Sequence, residues 1–205
     1  EICEDVWSPV PPSIEAAREG ALIVVNCSAS DETIGKNSYR KKLISGQSAR
    51  LIAGYIYANA GDGESTTDLV FGGHNIIAEN GTILKEADRF KNETIYSEID
   101  VHRLLSERRK NTTFQTMEEC SLPKISFKLR VEQTMISRRF SETPFVPSNT
   151  KEREKRCEEI LMLQAMGLKK RLIHTNANTA VVGISGGLDS TLALLVTAKA
   201  FDIIG

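Results

Sequence analysis

The chain has 205 residues, 40% of them hydrophobic and 26% charged, with a formal net charge of -1. These values fit a globular chain with length for one large or two small domains. They give no electrostatic reason to expect nucleic acid or an anionic membrane as a partner. No apolar run approaches the roughly 20 residues of a membrane span.

The start, Glu1-Ile2-Cys3-Glu4-Asp5, is acidic where a secretory leader is basic. The chain opens without methionine and stops at Gly205 as a helix finishes, so it is expected to be an interior piece of a longer protein. Cys3, Cys27, Cys120 and Cys157 lack the short paired spacing of a zinc or redox site. Sequons such as those at Asn80 and Asn92 would suit export, but reduced thiols in a cytoplasmic protein are the expectation.

In chain order, Pro11-Pro12-Ser13 introduces a short helix over 14–19, with Ser13 as its expected cap. Gly20 ends it. Ala21–Val25 reads as an apolar strand buried on both faces. A polar loop follows at 28–35, then a helix over 38–53 and a second strand at 55–59. Asn75–Glu79 and Thr82–Lys85 flank Asn80-Gly81, a pair that tolerates the positive φ of a tight turn and so predicts a hairpin.

Residues 98–148 are polar, basic and broken by Pro123, Pro144 and Pro147, which predicts a connecting region with a strand near 125–129. From Asn149, placed to cap with Glu152 three residues on, a helix begins. Leu161, Ala165, Leu168 and Leu172 share one of its faces. Thr179–Ile184 reads as a buried strand, and 190–201 as a helix.

The strongest signal is Gly183-Ile184-Ser185-Gly186-Gly187-Leu188-Asp189-Ser190-Thr191. Adjacent glycines let backbone amides close on an anion, and the following helix aims unpaired N–H groups at the same place. A Walker loop would need a lysine, and a dinucleotide fingerprint needs a different glycine spacing. The run resembles the pyrophosphate loop, Ser-Gly-Gly-x-Asp-Ser, of the ATP pyrophosphatases, which split ATP between its α and β phosphates. That resemblance implies that Gly183, Ile184, Ser185, Gly186, Gly187, Leu188, Asp189, Ser190 and Thr191 hold ATP, with Asp189 reaching Mg²⁺.

Cys3, in Ile2-Cys3-Glu4-Asp5-Val6-Trp7, lies in a stretch that resembles the nucleophile strand end of the nitrilase superfamily, where a cysteine attacks an amide and forms a thioester. The order of elements after it matches as well. The resemblance implies a catalytic role for Cys3 and glutamine binding by Glu4, Trp7, Ser30 and Lys36. It also implies a glutamate base and an oxyanion lysine, both supplied in that superfamily upstream of the cysteine. His74, His102 and His174 are isolated and predict no metal site. Asp62, Glu64 and Asp68 read as a solvated loop.

A nitrilase-type glutaminase, a basic linker and then a pyrophosphate loop together resemble the glutamine-dependent NAD synthetases, ligases that consume ATP. So do the phrases 61–69 and 142–147. The fold implied is α/β: the C-terminal part of a nitrilase-like α-β-β-α sandwich over 1–100, a linker over 101–148, and the start of a Rossmann-like, doubly wound ATP-pyrophosphatase domain over 149–205. The substrates implied are deamido-NAD, glutamine and ATP, with Mg²⁺ as cofactor, in a cytoplasmic homo-oligomer whose linker helps line an ammonia channel. Two alternatives stay open: another pyrophosphate-loop amidotransferase or ligase, and a non-catalytic piece with incomplete sites.

Overall fold

The computed structural model describes residues 1–64, 68–117, 122–133 and 135–205. Ser65–Thr67 of the 61–69 phrase, and Cys120, lie outside the described residues. The chain divides into two compact units, Glu1–Arg138 and Arg139–Gly205.

In the first unit a short 3-10 turn at Cys3–Trp7 precedes α1 (Ser13–Arg18), β1 (Ile23–Ser28), α2 (Lys36–Leu51) and β2 (Gly54–Asn59). β1 and β2 are parallel neighbours joined through α2, because parallel strands need a crossover long enough to return the chain. β3 (Ile76–Glu79) pairs antiparallel with β2, and β4 (Thr82–Glu86) with β3, giving a four-stranded sheet in chain order. The hairpin turns at Asn80 and Gly81, with φ of 44° and 88°, as Asn-Gly dictates. Val6, Val24, Ile44, Leu51, Tyr55 and Ile76 are among the residues that close the core between sheet and helices.

Three expectations change here. Ser13 does not cap α1: Pro12 stands at the cap position, and the Ser13 hydroxyl accepts from Gln47 Nε2 at 2.9 Å. β1 is buried on one face only, with Ile23 42% and Val25 49% exposed. An apolar strand pattern tells what could be covered, not what covers it. Residues 125–129 form no strand: Ile125, Phe127 and Leu129 are each more than three-quarters exposed, and no neighbouring strand takes up their backbone groups.

The connecting region instead contributes α3 (Val101–Lys110). Asp100 caps it by accepting from the Arg103 amide at 2.9 Å, and Leu104 is fully buried beneath it. Arg108 leaves α3 to donate to four carbonyls at the ends of two helices: Ala17 and Ala21 around α1, Leu51 and Ile52 at the end of α2. One guanidinium thus satisfies acceptors that a helix C-terminus leaves over.

In the second unit α4 (Thr150–Thr175) starts as the sequence predicts, with Asn149 Oδ1 accepting from the amides of Lys151 and Glu152. Ala165, Leu168 and Leu172 pack against Ala200, Phe201 and Ile203 of α5 (Leu188–Ile204). The expected strand at 179–184 does not form, and the segment is largely exposed, with Val181 99% accessible. A strand needs a neighbour for its amides and carbonyls, and among the described residues of this unit there is none. No helix among the described residues is long and apolar enough to cross a membrane.

Candidate functional site

Cys3 sits where the chain leaves an isolated parallel bridge, Ile2 to Cys27, and enters the 3-10 turn. Its φ is +47°, a left-handed conformation that non-glycine residues adopt rarely and at a cost of about 1–3 kcal/mol. The surroundings hold it there. The Ile2 amide donates to Asp5 Oδ2 at 2.8 Å, and buried Asn26 donates from Nδ2 to the Cys3 carbonyl at 3.3 Å. Glu1 adds a further tie, accepting from the Ser13 amide at 2.7 Å and from the Tyr55 hydroxyl. Burial first, then that contact with Glu1, raises the Tyr55 pKa and keeps the hydroxyl a donor.

Cys3 lines two neighbouring clefts, one of about 230 Å³ with Glu4, Trp7, Ala29, Ser30, Asp31 and Lys36, and one of about 460 Å³ that includes Cys27, Ser28, Ala58 and Asn59. The five side chains singled out in the sequence, from two separate stretches, therefore meet in one place. Trp7 stacks on Tyr39 with ring centroids 5.2 Å apart, and Lys36 Nζ lies 5.8 Å from the Trp7 ring. Ser30 is fixed at both backbone groups by Asn59, whose Oδ1 accepts from its amide at 2.9 Å and whose Nδ2 donates to its carbonyl at 3.0 Å.

Sequence reasoning missed four members of this site. Ser28 Oγ donates to Cys3 Sγ at 3.4 Å and accepts from the Tyr57 hydroxyl at 2.7 Å. Asp31 pairs with Lys36 Nζ at 2.5 Å. The hydrogen bond and charge of Lys36 hold its carboxyl below the ordinary 3.8. Asn26 and Arg40 act from behind the cleft. The Asp31–Lys36 spacing of five residues across a helix start was the one local signal available.

In the second unit the glycine turn closes on itself. Gly186 has φ of +82°, which a side chain would oppose. Ser190 Oγ accepts from the Ser185 amide at 3.3 Å and donates to the Gly187 carbonyl at 3.0 Å, while Thr191 Oγ1 donates to that carbonyl at 2.9 Å. Gly187 is the N-cap of α5, and Asp189, in its first turn, is exposed. Gly183 and Ile184 lead into the turn, and Leu188 opens α5 with its side chain in solvent. A carboxylate beside hydroxyls is a hard-oxygen donor set of the kind Mg²⁺ takes together with phosphate. Among the described residues no group of three or more His, Cys, Asp or Glu forms a metal cluster.

On this mixed α/β chain the first unit carries a strained cysteine in a polar cleft, and the second carries a glycine turn that opens a helix. Over 98% of its length the chain is similar in sequence to glutamine-dependent NAD(+) synthetases. It is 41% identical to the one of Mycobacterium leprae and, over 97% of its length, 27% identical to that of Thermotoga maritima. The chain spans about a third of the length of these curated relatives, 31% and 33% respectively. No family model matches it. Among solved structures it is similar to the Acinetobacter baumannii glutamine-dependent NAD+ synthetase in complex with ADP, with 22% identity, a TM-score of 0.45, and coverage of 97% of this chain and 30% of that one. Another is a nitrilase-superfamily member of Saccharomyces cerevisiae, with 23% identity, a TM-score of 0.47, and coverage of 55% and 40%.

Proposed function

We propose that the chain is part of a cytoplasmic, homo-oligomeric glutamine-dependent NAD synthetase, with a glutaminase portion over 1–100, a linker over 101–148 and the opening of the synthetase portion over 149–205. The observation that carries the reading is the convergence of Cys3, Glu4, Trp7, Ser30 and Lys36 on one cleft. The Cys3 thiolate attacks the side-chain amide of glutamine, forming a thioester and expelling ammonia, and water then releases glutamate. Lys36 and Glu4 meet the charged groups of the amino acid, Ser30 donates to it, and Trp7 packs on its methylene chain.

At the glycine turn, the nicotinate carboxylate of deamido-NAD attacks the α-phosphorus of ATP and pyrophosphate leaves. Ammonia then displaces AMP from the adenylate to give NAD. The amides around Gly186 and Gly187, with the Ser185 hydroxyl, cradle the pyrophosphate, and the hydroxyls of Ser190 and Thr191 turn to it from the Gly187 carbonyl. Asp189 would hold Mg²⁺, which neutralises phosphate charge when bound.

Incubating the full-length protein with a chloroketone analogue of glutamine tests the assignment. Peptide mass spectrometry is expected to find one thioether, on Cys3, formed more slowly when glutamine is present. Alkylation of another cysteine with Cys3 untouched would overturn it.

A further inference from the structure

Behind the loop that walls the Cys3 cleft lies a buried charged cluster that the chemistry above does not use. Arg40 of α2 is fully buried. Its Nη1 donates to Glu32 Oε1 at 2.6 Å and to His74 Nδ1 at 2.9 Å. Its Nη2 donates to Ser30 Oγ at 3.4 Å and to the Asp31 carbonyl at 3.3 Å. On the far side, His74 Nε2 lies 2.9 Å from Glu86 Oε1, and Glu86 Oε2 lies 2.7 Å from Lys41 Nζ.

These contacts fix protons as well as positions. A guanidinium has donors only, so His74 Nδ1 is the lone-pair nitrogen and Nε2 carries the proton given to Glu86. For the same reason Ser30 Oγ accepts from Arg40, which leaves its own hydrogen available to an acceptor in the cleft. A buried guanidinium stabilises little once its desolvation is counted. What this one does is tie two consecutive residues of the cleft wall, Ser30 and Asp31, to the body of the fold. Asn59 clamps the Ser30 backbone, while Arg40 holds its hydroxyl and the next carbonyl.

We propose that Arg40, held by Glu32 and His74, is a positioning residue that sets Ser30 as a donor and fixes the Asp31–Lys36 pair for glutamine in the Cys3 cleft. The inference rests on the glutaminase reading. It carries a pH consequence. Burial above all, and the Arg40 charge with it, keep His74 below its ordinary 6.5, against the opposing pull of Glu86 and Glu32. Protonation would turn Nδ1 into a donor facing Arg40 and remove one of the guanidinium's two anchors. The charged groups that bear on this ring are Arg40, Glu86 and Glu32, with Lys41 and Arg89 behind the two carboxylates.

The test uses the full-length protein, with glutamine-supported and ammonia-supported NAD formation measured side by side. Arg40→Lys keeps the charge but loses the fork. It is expected to raise the glutamine KM about tenfold with kcat within about threefold, and to leave ammonia-supported synthesis unchanged. His74→Gln is expected to flatten the rise in glutamine KM that the wild type shows as pH falls. If Arg40→Lys does not fold, the His74→Gln profile decides. An unchanged glutamine KM in Arg40→Lys, an equal fall of both activities, or an acid limb retained in His74→Gln would each overturn the proposal. Cys3→Ala separates the two levels. Glutamine use that survives it removes the glutaminase reading, and this inference with it, whereas glutamine use lost in Cys3→Ala beside an unaltered Arg40→Lys removes this inference alone.

Discussion

Arg138 grips Glu79 with both arms of its guanidinium, Nη1 to Oε2 and Nη2 to Oε1 at 2.8 Å each. Glu79, at the end of β3, is buried, and its Oε2 also accepts from the Asp100 amide at 2.7 Å. One carboxylate thereby ties the last residue of the first unit and the cap of α3 to the sheet.

Removing Arg138 leaves a buried carboxylate without its counter-ion. Arg138→Ala is expected to lower stability by about 3 kcal/mol, read from the denaturant midpoint of the first unit's transition. Burial raises the Glu79 pKa, but the Arg138 hydrogen bonds, the Asp100 amide and the nearby positive charges outweigh it, so the folded value lies below the ordinary 4.5. The pair's contribution is therefore complete above 4.5 and is lost as pH falls through the lower folded value. The acid limb of the stability profile should shrink in Arg138→Ala, and an unchanged limb would remove Glu79 as its source.

Arg108 makes a second long-range tie, and Phe114 covers its guanidinium at 4.7 Å. Arg108→Ala orphans carbonyls at the ends of α1 and α2 and should cost on the order of 3 kcal/mol. Arg108→Lys should recover only part of this, because an ammonium cannot span four acceptors. Thermal unfolding of the two variants checks the order.

These arginines mark the limit of what the sequence discloses. The Asn80-Gly81 hairpin, the Asn149 cap and the face of Ala165, Leu168 and Leu172 are local patterns, and each was legible. The cleft residues were legible because 3–7 and 30–36 carry motifs. Arg108 and Arg138, and Arg40 in its contact with His74, reach partners 34 to 91 residues away, as in Ala17, Glu79 and His74, and no spacing rule encodes such pairs. Helix α3 was missed although Asp100 and Val101, Leu104 and Leu105 hold helical spacing, because the surrounding basic run masked it. The paired strand expected at 179–184 failed for a different reason: pairing belongs to a neighbour, and apolar residues do not supply one.

His74 gives a prediction near neutrality. Its folded pKa lies below the unfolded 6.5, so the unfolded chain binds a proton that the native state does not. Its contribution is intact above 6.5 and declines as pH falls below it, until the lower folded pKa is reached. Denaturant titrations between pH 8 and 5 should show this loss, reduced in His74→Gln. A slope equal in both proteins would contradict it.

At the glycine turn, Asp189→Asn is expected to lower pyrophosphate release at least about hundredfold with either nitrogen source, because on the proposed function Asp189 would be the anionic ligand for Mg²⁺. Excess Mg²⁺ should recover part of the rate. Release at the wild-type rate would take Asp189 out of the ATP site.

On the proposed function, Cys3 delivers nitrogen from glutamine and has no part in making the adenylate. The most direct measurement of that role is the ratio of glutamine-supported to ammonia-supported NAD formation in full-length Cys3→Ala. Glutamine-supported synthesis is expected to fall by about a thousandfold or more, as for other lost nucleophiles, with the ammonia-supported rate within about threefold of wild type. Equal loss of both activities, or glutamine-supported synthesis that persists, would contradict that role.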